Sequence, residues 1–178
     1  EMFVECIDMV LAIWEGEAPY NLSGKHYQVS TEKTMLPKIG QGTIIKPYQK
    51  PYPQIVGTAV APFSQGVTEM AARGWDPISA NFLLPKWFKT HWPKYVEGCE
   101  RVGREVDSAN WRVAKNICVA DDMATARRYA CDPDSPYVYY YKQLLTKLTD
   151  GGRLNLFKED QDMPDSDVTL EYVLDKLI

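Results

Sequence analysis

The chain has 178 residues, 45% of them hydrophobic and 25% charged, with a formal net charge of −4, which is the balance of a globular protein able to bury a core. Its acidity, with a pI near 5.2, and a single adjacent Lys/Arg pair, Arg127-Arg128, exclude the basic face with which nucleic-acid binders neutralise phosphates. No run approaches the roughly 18 apolar residues of a membrane helix. Cys6, Cys99, Cys118 and Cys131 lack CxxC spacing and neighbouring histidines, so they read as free thiols of a cytoplasmic protein, with no metal site.

The chain opens inside an amphipathic helix, because Phe3, Cys6, Ile7, Val10, Leu11 and Trp14 recur at helical spacing. Cys6 and Cys99 both fall on apolar helix faces, so core packing explains them. Residues 16–23 read as a turn region and 25–29 as a short extended piece. Residues 31–46 read as a long irregular loop in which Gly40 and Gly42 supply flexibility. The segment KPYQKPYPQI at 46–55 is an extended lead-in, since Pro47, Pro51 and Pro53 fix their own φ and push the preceding residues out of the α region.

An apolar run, Ile55 to Val60, then reads as a buried strand. A helix over 65–73 follows, ended by Gly74 in a left-handed conformation. A second strand is predicted over 78–83, and after Pro85 a helix from Pro93 to about Val102. The third strand, 112–120, has Val113, Ile117 and Val119 as its core residues, and Asp121 is positioned to cap a helix over 122–131.

Ser135 caps the next helix, with Pro136 at its first position. Tyr137, Tyr140, Tyr141, Leu144, Leu145 and Leu148 form its apolar stripe up to Gly151-Gly152. Residues 150–167 read as an irregular loop whose acidic part, Glu159 to Asp167, does not match a calcium-loop pattern and is solvated. Thr169 starts the last helix. Strands alternating with helices mean parallel strands and right-handed crossovers, which suit a doubly wound sheet or a (β/α)8 barrel, within one domain over 1–178.

The informative junction is the one after the first buried strand. Ala59, Val60 and Ala61 end the strand, and Ser64, Gln65 and Gly66 stand where the helix begins. Free N–H groups and the helix dipole make such a turn a seat for a phosphate, while simple helix capping by Ser64 accounts for the same residues. His26 and His91 read as surface or packing residues, and no nucleophile or catalytic residue can be assigned.

The wording of this segment resembles the bacterial-luciferase-like flavin monooxygenases, particularly the limonene-monooxygenase-like branch, with its lead-in "KPYQ.PHPPI". The stretch DSANWRVAKNICVADDMATARRYA at 107–130 is similar to that family's "D...WRV.R.I.VADTD.EAR..A", and Met2-Phe3, Ile13-Trp14, Gly24 and Tyr27 match its upstream pattern. Tyr52 stands where His is usual, Gln54 where Pro is, and Asp122 where Thr is.

The resemblance implies part of a (β/α)8 TIM barrel, with these as its fifth, sixth and seventh strands, and a chain whose ends lie inside a longer protein. It implies a monooxygenase that oxidises a small organic substrate with O2 and reduced flavin. The cofactor is FMN, or a deazaflavin as in some relatives, and a separate flavin reductase supplies the electrons. Ala59, Val60, Ala61, Ser64, Gln65 and Gly66 then bind the cofactor, and Phe82, Leu84 and Trp87 wall the flavin or substrate, the alternative for these last being plain packing. The arginine for the flavin phosphate and any catalytic histidine are expected in other strands. The competing reading is a non-catalytic assembly module that pairs through its open sheet edges, and under either reading a homo-oligomer is expected.

Overall fold

A computed structural model describes all residues from Glu1 to Ile178. By internal contact the chain divides into two compact units, Glu1–Gln54 and Ile55–Ile178.

In the first unit, helix α1 (Met2–Glu15) accompanies an antiparallel hairpin of β1 (Asn21–Ser23) and β2 (Gln28–Ser30). Its first strand takes up the last three residues of the turn region expected over 16–23, and its second overlaps the extended piece expected over 25–29. Its tip is held by Glu5, whose carboxylate accepts from the amides of Lys25, His26 and Tyr27 at 3.2, 2.8 and 2.8 Å. The ammonium of Lys46 lies at the other end of α1, where it donates to the carbonyls of Ile13 and Gly16 and complements the negative end of the dipole. Cys6 is exposed and α1 has no fully buried residue, which corrects the expectation that core packing explains this cysteine. Residues 31–46 are irregular apart from two single 3-10 turns and an isolated bridge between Leu36 and Gln41.

The second unit carries a parallel three-stranded sheet in the order β3-β4-β5, with β3 at Val56–Ala59, β4 at Asp76–Ser79 and β5 at Arg112–Val113. Helix α2 (Gln65–Ala72) returns from β3, and Gly74 ends that crossover at φ 78°. Helices α3 (Pro85–Phe88) and α4 (His91–Arg101) return from β4. Helices α5 (Met123–Ala130), α6 (Pro136–Asp150) and α7 (Leu170–Leu177) complete the unit.

All three strands differ from expectation. The first, expected to be buried over Ile55 to Val60, spans Val56–Ala59 with only Ala59 buried, because it is an outer strand of the sheet. The second begins at Asp76 and ends at Ser79, four residues short of Leu83. A proline inside a central strand argues against that assignment from sequence. Here Asp76 and Ala80 donate to Ile55 and Ala59 of the β3 side, so the N–H missing at Pro77 faces the side where pairing with β5 starts only at Ile78. The third strand stops at Val113 because β4 has already turned away, and the Ala114 amide to the Ser79 carbonyl is the last bond of the run. Val113, Ile117 and Val119 are therefore 39%, 73% and 86% exposed rather than core residues.

The helix starts follow local chemistry. Ser135 accepts from the Val138 amide and Thr169 from the Tyr172 amide. The cap of α5 is Asp122 rather than Asp121, since its Oδ1 accepts from Thr125 N at 2.7 Å, three residues on. One core gathers Leu83, Leu84, Trp87, Val138, Tyr141, Phe157 and the inner face of α7. A second packs α2 on α4 through Val67, Ala71, Tyr95 and Cys99. No helix is long and apolar enough to cross a membrane.

Candidate flavin-phosphate turn and its support

The β3–α2 turn begins at Ala59, which is buried, and runs through Val60, Ala61 and Pro62 to Phe63. Phe63 has φ 52°, an uncommon conformation for a non-glycine residue that persists only where the surroundings impose it. Ser64 occupies the N-cap position of α2, but its hydroxyl makes no capping hydrogen bond. The side chain is thus uncommitted beside the amides of Gln65 and Gly66, which belong to the first turn that a helix leaves without internal acceptors. A Cβ at position 66 would lie 3.2 Å from Ser64 Oγ, so glycine keeps the space next to the hydroxyl open. Hydroxyl, amides and open floor together fit an anionic phosphate.

The turn is fastened from the α3–α4 junction by two consecutive residues. Thr90 Oγ1 accepts from the Phe63 amide at 2.8 Å and donates to the Trp87 carbonyl at 2.6 Å. His91 follows, fully buried, with Nε2 2.8 Å from the Ala61 carbonyl and Nδ1 2.8 Å from Ser79 Oγ. The Trp111 indole donates to Ser79 Oγ at 2.9 Å. A carbonyl can only accept, so Nε2 carries the hydrogen, and Nδ1 accepts from the serine hydroxyl. A neutral imidazole satisfies the whole run from Trp111 through Ser79 and His91 to Ala61. Burial holds this histidine below its ordinary pKa, against the opposing pull of the bond to Ala61.

The carboxyl ends of β4 and β5 carry a second polar group. Tyr140 donates to Asn81 Oδ1 at 3.0 Å, Asn81 to Asn116 Oδ1 at 3.1 Å, and Asn116 to the Tyr141 hydroxyl at 3.0 Å. Burial pushes the Tyr141 phenol up to about 12. Asn81, Asn116, Pro136, Tyr137 and Tyr140 line a cavity of about 290 Å³.

Of the residues expected from sequence, Ala59 to Gly66 are brought together in one turn. Phe82, Leu84 and Trp87 are not part of it, although Trp87 meets Phe63 edge to face at 6.4 Å. Leu84 and Trp87 are buried in the larger core, with the Trp87 indole donating to the Lys158 carbonyl at 2.8 Å, and Phe82 packs half-buried against Phe157. Sequence reasoning missed Ser79, Thr90, Trp111, Asn81 and Asn116, and gave His91 only a surface or packing place. Apart from the local bond of Thr90 to Trp87, their partners are 12 to 59 residues away in the chain, beyond any local periodicity. The one available signal was that Ser79 and Asn81 lie just past an apolar residue in a strand.

A parallel sheet with helical crossovers, and polar groups collected at the carboxyl ends of its strands, defines an α/β protein of the kind that binds ligands at those ends. The profile of the luciferase-like monooxygenases matches residues 1–166, and the chain belongs to that family. The fold is similar to the oxygenating constituent of 3,6-diketocamphane monooxygenase from the CAM plasmid of Pseudomonas putida, a type II Baeyer-Villiger monooxygenase in complex with FMN. That likeness has a TM-score of 0.73 at 19% identity, over 99% of this chain and 48% of the other. Monooxygenase RslO1 from Streptomyces bottropensis is similar at a TM-score of 0.61 and 14% identity, over 87% of this chain and 43% of its own. This chain spans about half the length of these solved structures, and at such identities the likeness is one of fold. No curated protein sequence matches the chain.

Proposed function

We propose that the full-length protein is a flavin-dependent monooxygenase that uses reduced FMN and O2 to oxidise a small organic substrate, with a flavin reductase as its electron source in the cytoplasm. In this reading β3, β4 and β5 are the fifth to seventh strands of a (β/α)8 barrel, within a homo-oligomer. The observation that carries it is the β3–α2 turn, whose uncapped Ser64 hydroxyl and first-turn amides suit an anion, in a chain of this family. Bound flavin supplies the redox chemistry and oxygen activation. The chain's own residues seat and orient it: Ala59, Val60 and Ala61 supply backbone beside the ring system, and Ser64, Gln65 and Gly66 hold the phosphate. Phe82, Leu84 and Trp87, which lie outside the turn in or against the larger core, are in this reading the apolar wall of the flavin or substrate pocket. The same seat serves a deazaflavin, whose phosphate is chemically alike.

The test restores the full-length protein and adds FMN, a reductase and NAD(P)H. Flavin binding, and O2 uptake that an organic substrate stimulates, are expected. A well-folded full-length protein that binds neither FMN nor a deazaflavin overturns the proposal.

The assembly-module reading is favoured by a different observation. Both outer strands of the sheet have an unpaired edge, and Val56, Ile117, Val119 and Met123 leave 41%, 73%, 86% and 82% of their surface exposed. Unpaired edges beside apolar side chains invite pairing with another chain. Sedimentation separates the two, because a monodisperse 20.3 kDa monomer that unfolds cooperatively rejects the assembly module for residues 1–178.

A further inference from the structure

We propose that Thr90 and His91 are positioning residues for the flavin-phosphate seat, setting its backbone from outside without touching the ligand. The inference rests on reading the β3–α2 turn as that seat, and adds residues from a different crossover to it.

An anion-binding turn works only if its amides already point inward, since any rotation on binding subtracts from affinity. Between Ala59 and Gln65 the chain has no ladder partner once β3 ends. Its only hydrogen bonds to another element come from two adjacent side chains, Thr90 to the Phe63 amide and His91 to the Ala61 carbonyl. These two bonds straddle Pro62, and the first ends on the amide of Phe63, the residue with positive φ. Fixing the carbonyl before Pro62 and the amide after it determines the plane in which Ser64, Gln65 and Gly66 present their donors.

His91 is held in turn. Ser79, at the end of β4, and Trp111, at the start of β5, place and orient its ring. The end of β4 thus meets the imidazole directly, the residue before β5 reaches it through Ser79, and its Nε2–H is directed at the Ala61 carbonyl just past β3. Packing alone would be served by any apolar ring at this position. It would require neither the hydroxyl on one side nor the carbonyl on the other.

The experiment measures FMN and riboflavin binding to the full-length protein and to His91→Asn, His91→Gln, Thr90→Val and Ser64→Ala. Asparagine keeps a polar group facing Ser79 but ends short of Ala61, whereas glutamine places an N–H where Nε2–H now stands. His91→Asn and Thr90→Val are expected to weaken FMN at least tenfold while changing riboflavin less than threefold, and His91→Gln to stay within threefold of the parent for both. Amide exchange over residues 61–66 should speed up in His91→Asn and not in His91→Gln. If His91→Asn does not fold, Thr90→Val decides by itself, because it is isosteric and lies at a half-buried site. Equal weakening of the two flavins, or none, overturns the inference. The seat then survives if Ser64→Ala still discriminates between them, and a parent protein that binds no FMN overturns seat and inference together.

Discussion

Ser79 donates its hydroxyl hydrogen to Nδ1 of His91 across 2.8 Å, with both residues fully buried. The bond joins the end of β4 to the first residue of α4 and decides which imidazole nitrogen faces the β3–α2 turn.

Stability should therefore depend on pH through His91. Its native pKa is depressed by burial, while the unfolded chain titrates near the ordinary value of about 6.5. The contribution of the neutral ring is fully present above about pH 6.5 and is lost as pH falls toward the depressed native value, because the unfolded state takes up the proton first. Urea denaturation at intervals between pH 7.5 and 5 is expected to show a falling midpoint. In His91→Gln, which cannot titrate, that slope should flatten.

Ser64→Ala tests the seat directly. A charge-assisted hydrogen bond to phosphate contributes roughly 1.5–3 kcal/mol, so FMN binding in the full-length protein should weaken about ten- to a hundredfold. Riboflavin, without the phosphate, should respond little. Since the hydroxyl makes no capping bond, the thermal midpoint should hardly move, whereas a true cap would lose about 0.5–2 kcal/mol.

Gly98 sets the distance between α4 and α2. A methyl group there would fall 2.3 Å from the Thr68 carbonyl oxygen and 2.7 Å from Ala71 Cβ, both parts of the facing helix and unable to swing aside. Gly98→Ala is expected to destabilise the second unit by about 1–3 kcal/mol through overpacking, despite alanine's better helix propensity. Equilibrium urea unfolding measures it, and an unchanged midpoint would reject the close packing.

Asp76 anchors the amino-terminal end of the sheet. Its carboxylate, only 3% exposed, meets Arg104 at 2.7 Å and Arg112 at 3.5 Å. Removing one partner of a buried pair costs about 3–5 kcal/mol, and the partial exposure of Arg104 lowers the expectation for Asp76→Asn to about 2–4 kcal/mol. The same denaturation experiment checks it. Far from the carboxyl ends of the strands, the change should leave the ratio of FMN to riboflavin affinity intact.

Much of this protein was legible in its residues because the forces concerned act over a few positions. Ser135 and Thr169 cap helices through amides three residues on, Gly74 takes the left-handed conformation that ends α2, and the stripe on α6 buries Tyr141 and Leu148. The turn from Ala59 to Gly66 was visible for the same reason, since a strand, a short polar link and a helix start are local. Other features depended on partners distant in sequence. Pro77 lies inside a strand because β5 begins pairing one residue later, and Ile117 and Val119 stay exposed because β4 turns away after Ser79. His91 acquired its place from Ser79, Trp111 and Ala61, on three different strands or their ends. Periodicity reports which face of an element is apolar, whereas the partner of a buried polar atom is set by the packing of whole crossovers, and only the tertiary structure decides that.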